Sequence, residues 1–273
     1  MDPQPAAVAR YSPWLVGWFQ WYLRGYLPKH FHSLSVAVDT RPTIEPHERL
    51  VVYLNHAAWW DPLISLHLAA KLFPHRKVIA PFEAEAIKQY PLFERLGFFG
   101  VDKSSRRGAA EFLRTAAAAV SLPDTSLWIT PEGRFADPRD RTAAFEPGLA
   151  HLAHKMASTQ TDGGRPAVFV PLAIEYPFWE ERLPEALARF GEPVRVGDFP
   201  DYDKDRWAAL LEARLRESQD TLQRLSLERR ESAFEVLLGG RAGVGGVYES
   251  IRRAVLRVTG KQYQASHGEK LQT

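Results

Sequence analysis

The chain has 273 residues, of which 45% are hydrophobic and 25% are charged, an ordinary globular composition that suffices for one large α/β domain or two small ones. Its 35 basic and 33 acidic residues nearly balance, so the net charge of +2 indicates no polyanionic partner, and we expect no nucleic-acid binding. The absence of cysteine excludes disulfides, a thiolate nucleophile and thiolate metal ligands, and it favours a reducing compartment, the cytoplasm by default. The sequence contains no apolar run of the ~20 residues that a transmembrane helix requires.

The first predicted helix is rich in aromatic residues. In YSPWLVGWFQWYLRGYLPKHFH, Trp14, Trp18 and Trp21 recur at helical spacing, which puts them on one face beside Leu15 and Tyr22. This face either lies in a membrane interface, where indole rings favour the headgroup level, or packs against the protein's own core. Both interpretations stay open here, and we assign this amphipathic segment to residues 1–33.

The next part of the chain alternates between apolar, β-rich runs and segments with helical periodicity. The predicted strands are SLSVAVDT, RLVVYLN, HRKVIAP, FFGVDK, SLWIT, AVFVPLAIEYP and, as the last strand, EPVRVGDFP. The predicted helices are DPLISLHLAAKLF, a broken helix in EAIKQYPLFERLG, SRRGAAEFLRTAAAAVS and PGLAHLAHKMAS. Asp61 is expected to cap the first of these helices with Pro62 at its first position, and Ser104 or Ser105 is expected to cap the third. The alternation predicts an α/β core over residues 34–200, with a mostly parallel central sheet flanked by helices.

Residues 201–273 are predicted to form a helical C-terminal region packed on the core. The stretch RWAALLEARLRESQDTLQRLSLERRES has Leu or Ala at helical intervals among alternating charges. The glycine-rich LLGGRAGVGG lacks a preceding strand and the spacing of a phosphate-binding loop, so we interpret it as a linker. The final helix-like piece, VYESIRRAVLRV, carries Arg252, Arg253 and Arg257 and is expected to dock on the body rather than on anionic lipid.

A histidine and an aspartate lie close together after the second predicted strand. His56 and Asp61 belong to LNHAAWWDP, where the chain leaves a strand, turns and starts a helix. An imidazole titrates near neutrality and accepts a hydroxyl proton well when a carboxylate holds its other ring nitrogen. Asp61 is placed to act as that carboxylate. The alternative is an ordinary loop histidine near a helix-capping aspartate.

Charged side chains follow two further strands. GFFGVDKSSRR brings Lys103, Arg106 and Arg107 together just past a strand, where the N-terminus of the next helix adds its own preference for anions. TPEGRF places Glu132 and Arg134 on a turn past another strand. Sites in parallel sheets gather at the carboxyl ends of the strands, where the His56 loop also emerges. Each cluster is by itself compatible with a surface ion pair or a turn carboxylate bonded to backbone amides.

Taken in this order, the motifs resemble the blocks of the glycerolipid acyltransferase family, which includes the bacterial acyl-glycerol-phosphate acyltransferases. NHAAWWD is similar to the family's NHxxxxD block, GFFGVDK to its second block, ITPEGRF to its third and FVPLAIE to its fourth. FEPGLAHLA also resembles the stretch that follows the third block. The resemblance covers residues 34–200 and rests on four blocks in the right order.

The resemblance implies an O-acyltransferase that moves a fatty acyl group from acyl-CoA or acyl carrier protein to a hydroxyl of a lysophospholipid. His56 would be the general base and Asp61 would orient it. The residues that would bind the acceptor are Lys103, Arg106, Glu132, Gly133 and Arg134, with Lys103 and Arg134 facing a phosphate. The alcohol would attack the thioester directly, which fits the absence of cysteine and of a GxSxG nucleophile elbow. It also implies a peripheral location on the cytoplasmic face of a membrane.

No cofactor and no metal are expected beyond the acyl thioester as co-substrate. His151 and His154 share a predicted helix face, but they lack the accompanying carboxylate pattern of a metal site.

Two departures from the family pattern leave the acceptor open. The second block usually ends in arginine, where this chain has Lys103, and the third is usually Glu-Gly-Thr-Arg, whereas Arg134 follows Gly133 directly here. Lysine keeps the positive charge but loses the bidentate geometry of arginine. The acceptor is therefore either a lysophospholipid or a non-phosphorylated lipid alcohol such as a glycolipid. A non-catalytic lipid-binding relative and a thioester hydrolase are the remaining alternatives.

Overall fold

The computed structural model describes residues 10–38, 40–161 and 163–240. The helices are α1 (Pro13–Tyr26), α2 (Asp61–Leu72), α3 (Ala84–Gln89), α4 (Leu92–Arg95), α5 (Arg106–Val120), α6 (Gly148–Thr161) and α7 (Lys204–Leu227). The strands are β1 (Ser33–Ala37), β2 (Arg49–Leu54), β3 (Lys77–Glu83), β4 (Phe98–Val101), β5 (Thr125–Ile129), β6 (Ala167–Glu175), β7 (Glu185–Phe190), β8 (Val194–Arg195) and β9 (Phe234–Gly239).

All of these strands join one sheet, in the order β4-β3-β5-β2-β6-β7-β1-β9, with β8 pairing with β6. Within the described residues, five strand pairs are parallel and three are antiparallel. Tyr53 in the central strand β2 lies opposite Ile129 of β5 and Pro171 of β6, both in parallel register. The carboxyl ends of β2, β5 and β6 therefore meet at one edge of the sheet. The predicted α/β architecture with a mostly parallel central sheet is confirmed.

The sheet separates two hydrophobic clusters because successive side chains of a strand point to opposite faces. In β2, Val51 and Tyr53 join the cluster under α5, α6 and α7, whereas Leu50, Val52 and Leu54 join the cluster under α1 and α2. Every residue of β2 and of β6 is buried. This two-sided burial explains why both strands are continuous apolar runs rather than alternating ones.

Helix α1 packs on the protein by one side and presents its tryptophans on the other. Leu15 and Leu23 are buried, while Trp14, Trp18 and Trp21 are 75%, 48% and 67% exposed. The core-packing interpretation is therefore wrong for the three tryptophans, and Leu15 does not lie on their face as expected. In the part of the chain that the structure describes, no helix combines the length and the apolar character needed to cross a membrane.

Two strands, β7 and β9, were not predicted from the sequence. Strand β7 contains Glu185 and Arg189, which break the apolar pattern, but Glu185 is buried and bonded to the side chains of His32 and Ser33. The expected last strand in EPVRVGDFP is only Val194–Arg195, because the chain turns into a 3-10 helix at Val196–Asp198.

Strand β9, the second missed strand, corrects the expectation of a purely helical C-terminal region. The first three residues of the expected linker, Leu237–Gly239, belong to β9, which pairs antiparallel with β1. Helix α7 packs on the core, where Trp207, Leu211 and Leu215 are buried. The remainder of the glycine-rich stretch beyond residue 240 and the predicted helix with Arg252, Arg253 and Arg257 lie outside the described residues.

Candidate active site

The His56 loop starts at the carboxyl end of β2 and is fixed there by Asn55. The Asn55 side chain donates to the carbonyl of Ile174 at 3.0 Å and accepts from the N–H of Ile174 at 2.8 Å, which ties the loop to β6. His56 Nδ1 lies 2.7 Å from Asp61 Oδ2. A carboxylate can only accept, so Nδ1 carries the proton and Nε2 presents a lone pair. Within the described residues Nε2 makes no hydrogen bond, and the His56 side chain is partly exposed.

Asp61 is turned back into the loop rather than toward the helix amides. It is 1% exposed, and its Oδ2 also accepts from the N–H of Ala58 at 3.0 Å. Trp60 occupies the N-cap position of α2, so Asp61 is the first helical residue and Pro62 the second. The expected capping role of Asp61 is therefore wrong, because its carboxylate bonds His56 and the loop backbone instead.

Tyr176 completes the surroundings of Asp61. Its hydroxyl donates to Asp61 Oδ1 at 2.7 Å. Burial of the phenol, and then the charge and hydrogen bonding of Asp61, raise the pKa of Tyr176 well above its usual value. The hydroxyl therefore stays protonated and acts as a donor over the working pH range. Sequence reasoning missed Tyr176, although its position directly after the fourth block, at the end of the strand next to β2, is a signal that would have found it.

Glu132 holds the backbone of the His56 loop. It follows β5, is buried, and accepts from the N–H of His56 through Oε2 at 2.8 Å. Its Oε1 accepts from Arg216 Nη1 at 3.0 Å. The N–H of Ala136 donates to the carbonyl of His56 at 2.9 Å, so both backbone groups of His56 are bonded to the segment after β5.

Arg216 reaches the site from α7, far away in the sequence. Its guanidinium also donates to the carbonyl of Ala143 and lies 5.1 Å from the ring centre of Phe145. It thereby balances the buried charge of Glu132. Sequence reasoning missed Arg216, and nothing in the charged helical pattern distinguishes it from the other arginines of α7.

The second and third blocks meet at Gly133. Lys103 Nζ donates to the carbonyl of Gly133, whose φ of 63° lies in the left-handed region that favours glycine. Lys103, Arg106 and Arg134 are exposed. Arg106 is the first residue of α5, which Ser105 caps by accepting from the N–H of Gly108 at 3.0 Å, as predicted. The acceptor-binding role of these residues stays a prediction.

One aromatic ring lies against His56, and further aromatic rings connect its loop to α1. The ring centre of Phe135 lies 4.2 Å from that of His56, and Phe135 is 56% exposed. Trp59 contacts Trp60 at 5.3 Å between ring centres, and Trp60 lies 6.1 Å from Tyr26 at the end of α1. The His56 loop and the exposed face of α1 therefore belong to one connected aromatic surface.

The fold and the site together define an α/β protein with a histidine–carboxylate pair at the carboxyl edge of a parallel sheet. The family model for acyltransferases matches residues 35–175, more than half of the chain. The chain therefore belongs to the acyltransferase family, and its predicted resemblance to the glycerolipid acyltransferases is confirmed. No curated protein matched the chain. The matched range includes His56, Asp61 and Glu132 but ends just before Tyr176.

Proposed function

We propose that this protein is an O-acyltransferase that moves a fatty acyl group from an acyl thioester to a hydroxyl of a lysophospholipid or a related lipid. Membership in the acyltransferase family supports acyl transfer in general. The observation that supports the mechanism is the 2.7 Å contact between His56 Nδ1 and Asp61 Oδ2, which leaves Nε2 as a base at the edge of the site.

The reaction follows from this geometry. Nε2 of His56 takes the proton of the acceptor hydroxyl while its oxygen attacks the thioester carbonyl carbon. The tetrahedral intermediate collapses, the carbon–sulfur bond breaks, and the imidazolium returns the proton to the leaving thiolate. Asp61 stabilises the imidazolium in between, as the carboxylate does in related His–Asp arrangements. No covalent acyl-enzyme is needed, in keeping with a chain that contains no cysteine.

We further propose that the protein works as a peripheral protein on the cytoplasmic face of a membrane. The exposed Trp14, Trp18 and Trp21 on α1 support this, because indole rings favour the headgroup region of a bilayer. The aromatic surface that joins α1 to Trp59 would place the His56 loop close to the lipid. The donor is acyl-CoA or acyl carrier protein, and no further cofactor is proposed.

The acceptor divides the proposal into two candidates. A phosphorylated acceptor is supported by the exposed cations Lys103, Arg106 and Arg134 past the strand ends. A neutral lipid alcohol is favoured by a different observation, the ring of Phe135 that lies tilted against the ring of His56. We put the phosphorylated acceptor first, because such cations form charge-assisted hydrogen bonds worth roughly 1.5–3 kcal/mol each with phosphate.

The test is an acyl-transfer assay with labelled acyl-CoA and lysophospholipid or glycolipid acceptors presented in vesicles. Only a transferase forms a new ester that depends on the acceptor; release of free fatty acid alone indicates a hydrolase, and no turnover with any donor or acceptor supports the non-catalytic alternative.

His56→Ala should lower turnover by on the order of a hundredfold or more. The matched control is His47→Ala, an exposed histidine before the opposite end of β2. Normal turnover by folded His56→Ala contradicts the mechanism.

The two acceptors are then separated with Arg134→Ala. Loss of this exposed charge should raise the apparent KM for a lysophospholipid and leave the KM for a glycolipid and for acyl-CoA nearly unchanged. Equal effects on both acceptors would favour the neutral alcohol.

A further inference from the structure

We infer that Tyr176 is a positioning residue for the His56–Asp61 pair, and that its hydroxyl sets both the orientation of the Asp61 carboxylate and how strongly it holds the protonated imidazole. This inference rests on the proposed role of His56 as the general base.

The hydrogen bonds of Asp61 show why Tyr176 matters. Oδ2 is shared by His56 Nδ1 at 2.7 Å and the N–H of Ala58 at 3.0 Å. Within the described residues, the Tyr176 hydroxyl at 2.7 Å is the only donor to Oδ1. The carboxylate is thus held at both oxygens, and without Tyr176 one buried oxygen has no protein donor. Because a buried acceptor without its donor is costly, the carboxylate is expected to be held less firmly, while Oδ2 keeps its bonds to His56 and Ala58.

The ring of Tyr176 is held well enough to place its hydroxyl. The residue directly follows β6, which pairs with β2 on one side and with β7 on the other. Its ring lies 5.6 Å from that of Phe31, and Phe31 makes an edge contact with Trp60 at 5.0 Å. Trp60 is the residue before Asp61, so the same packing fixes both ends of the hydrogen bond.

The hydrogen bond from the Tyr176 hydroxyl to Asp61 opposes protonation of the His56 ring. A neutral donor on Oδ1 draws charge from the carboxylate, so Asp61 stabilises the imidazolium less than an unbonded carboxylate would. A general base must be neutral before it accepts a proton, and its rate falls on the acidic side as it becomes protonated. Removal of the hydroxyl should therefore favour the protonated ring and move the acidic limb of the rate profile to higher pH.

The charged groups beside the pair have partners other than the Tyr176 hydroxyl. Glu132 bonds the backbone N–H of His56, and Arg216 on α7 balances Glu132. The ring of His30 lies 5.0 Å from that of Trp60, the residue before Asp61. None of these side chains hydrogen-bonds the Tyr176 hydroxyl among the described residues, so a shift of the acidic limb reports on Tyr176 itself.

The experiment compares Tyr176→Phe with Tyr53→Phe in the full chain. Tyr53 is also buried, and within the described residues its hydroxyl has no hydrogen-bonding partner, so its removal controls for loss of a buried hydroxyl. Tyr176→Phe should lower kcat about tenfold, part of the ~10²–10⁴-fold that a positioned base contributes. Its acidic limb should move to higher pH while both KM values change little. Site-specific incorporation of 3-fluorotyrosine at position 176, a stronger donor, should move the limb to lower pH.

A second readout is the NMR signal of the hydrogen-bonded Nδ1–H proton of His56, assigned by its loss in His56→Ala. This signal should shift in Tyr176→Phe and not in Tyr53→Phe. An unchanged acidic limb and an unchanged Nδ1–H signal in Tyr176→Phe, with His56→Ala inactive, overturn the inference while leaving the proposed function standing. A loss of activity that only tracks the folded fraction also overturns it. If His56→Ala keeps its turnover, the proposed function fails and the catalytic part of the inference fails with it.

Discussion

Among the described residues, the Asp61 carboxylate accepts three hydrogen bonds, and its two oxygens differ in their partners. Oδ2 serves the imidazole of His56 and the loop backbone at Ala58, and Oδ1 serves the hydroxyl of Tyr176. All three partners are donors, which only an ionised carboxylate satisfies fully. The residue is therefore suited to hold His56 in one tautomer, with the lone pair on Nε2.

We expect Asp61→Asn to lose most activity without unfolding. The NH2 group of the asparagine would point either at the Tyr176 hydroxyl or at the His56 ring. When it points at the ring, it donates to Nδ1 and therefore favours the tautomer with the proton on Nε2. Turnover should fall by about 10²–10⁴-fold, as when a base is held in the wrong tautomer. The measurement is kcat at saturating donor and acceptor, with folding checked by thermal unfolding.

The matched control is Asp124→Asn, because Asp124 is an exposed carboxylate paired with Lys77 at 2.6 Å at the amino ends of the strands. Folded Asp61→Asn with turnover close to that of Asp124→Asn would show that the carboxylate does not set the tautomer.

Helix α1 combines a buried side with an unusually aromatic exposed side. Rings along it stack in sequence, with Trp18 6.0 Å from Tyr22 and Tyr22 5.2 Å from Tyr26. Exposed tryptophans in a row on one helix are typical of an interfacial segment rather than of a solvated one. Deleting the helix would also uncover Leu15 and Leu23, so substitutions are the cleaner way to test the exposed side.

The triple variant Trp14→Ala, Trp18→Ala, Trp21→Ala should bind vesicles at least about tenfold more weakly. This loss corresponds to ~1.4 kcal/mol of binding free energy, which is less than the free energy of transferring one indole side chain fully out of water. Its thermal stability should change little, because all three side chains are exposed. Cosedimentation with phosphatidylcholine vesicles, with and without phosphatidylglycerol, measures the effect. Leu227→Ala, an exposed apolar residue at the end of α7, is the control. Unchanged vesicle binding by the triple variant contradicts the membrane proposal.

Across the whole fold, α7 and the His56 loop are connected through one buried ion pair. Arg216 and Glu132 are both largely buried, and Glu132 in turn accepts from the backbone of His56. Removing one member of such a pair leaves the other charge uncompensated, which costs more than the pair itself contributes. Helix α7 therefore stabilises the site although, in the part of the chain that the structure describes, none of its side chains hydrogen-bonds His56.

Arg216→Met should lower the free energy of unfolding by about 3–5 kcal/mol, as for one broken buried ion pair. It should also lower kcat, because Glu132 no longer holds the His56 backbone. The double variant Arg216→Met, Glu132→Gln should regain much of the stability, since the amide oxygen can still accept from His56. Denaturant unfolding and kcat are measured together.

Arg224→Met provides the comparison, because Arg224 forms an exposed pair with Glu228 on the same helix and should contribute no more than about 1 kcal/mol. If Arg216→Met is as mild as Arg224→Met, the ion pair does not support the site.

Local sequence pattern was sufficient to predict much of the core and the pairing of His56 with Asp61. Apolar runs predicted β2, β5 and β6 because these strands are buried on both faces, and Ser105 was predicted as a cap because its hydroxyl bonds an amide only three residues away. His56 and Asp61 were found because their contact spans a single loop. Strands β7 and β9 were not found, because Glu185 owes its burial to distant partners and β9 is a partly exposed edge strand.

The packing of distant elements decided the rest. The orientation of the Asp61 carboxylate depends on Tyr176, which follows β6. The buried charge of Glu132 is balanced by Arg216 on α7, 84 positions away in the sequence. The exposure of the tryptophans depends on which side of α1 the core accepts, a choice that helical spacing leaves open. A local pattern specifies which residues share a face or a turn. Only the assembled sheet and helices specify which buried charge meets which donor, because that pairing depends on contacts between segments far apart in the chain.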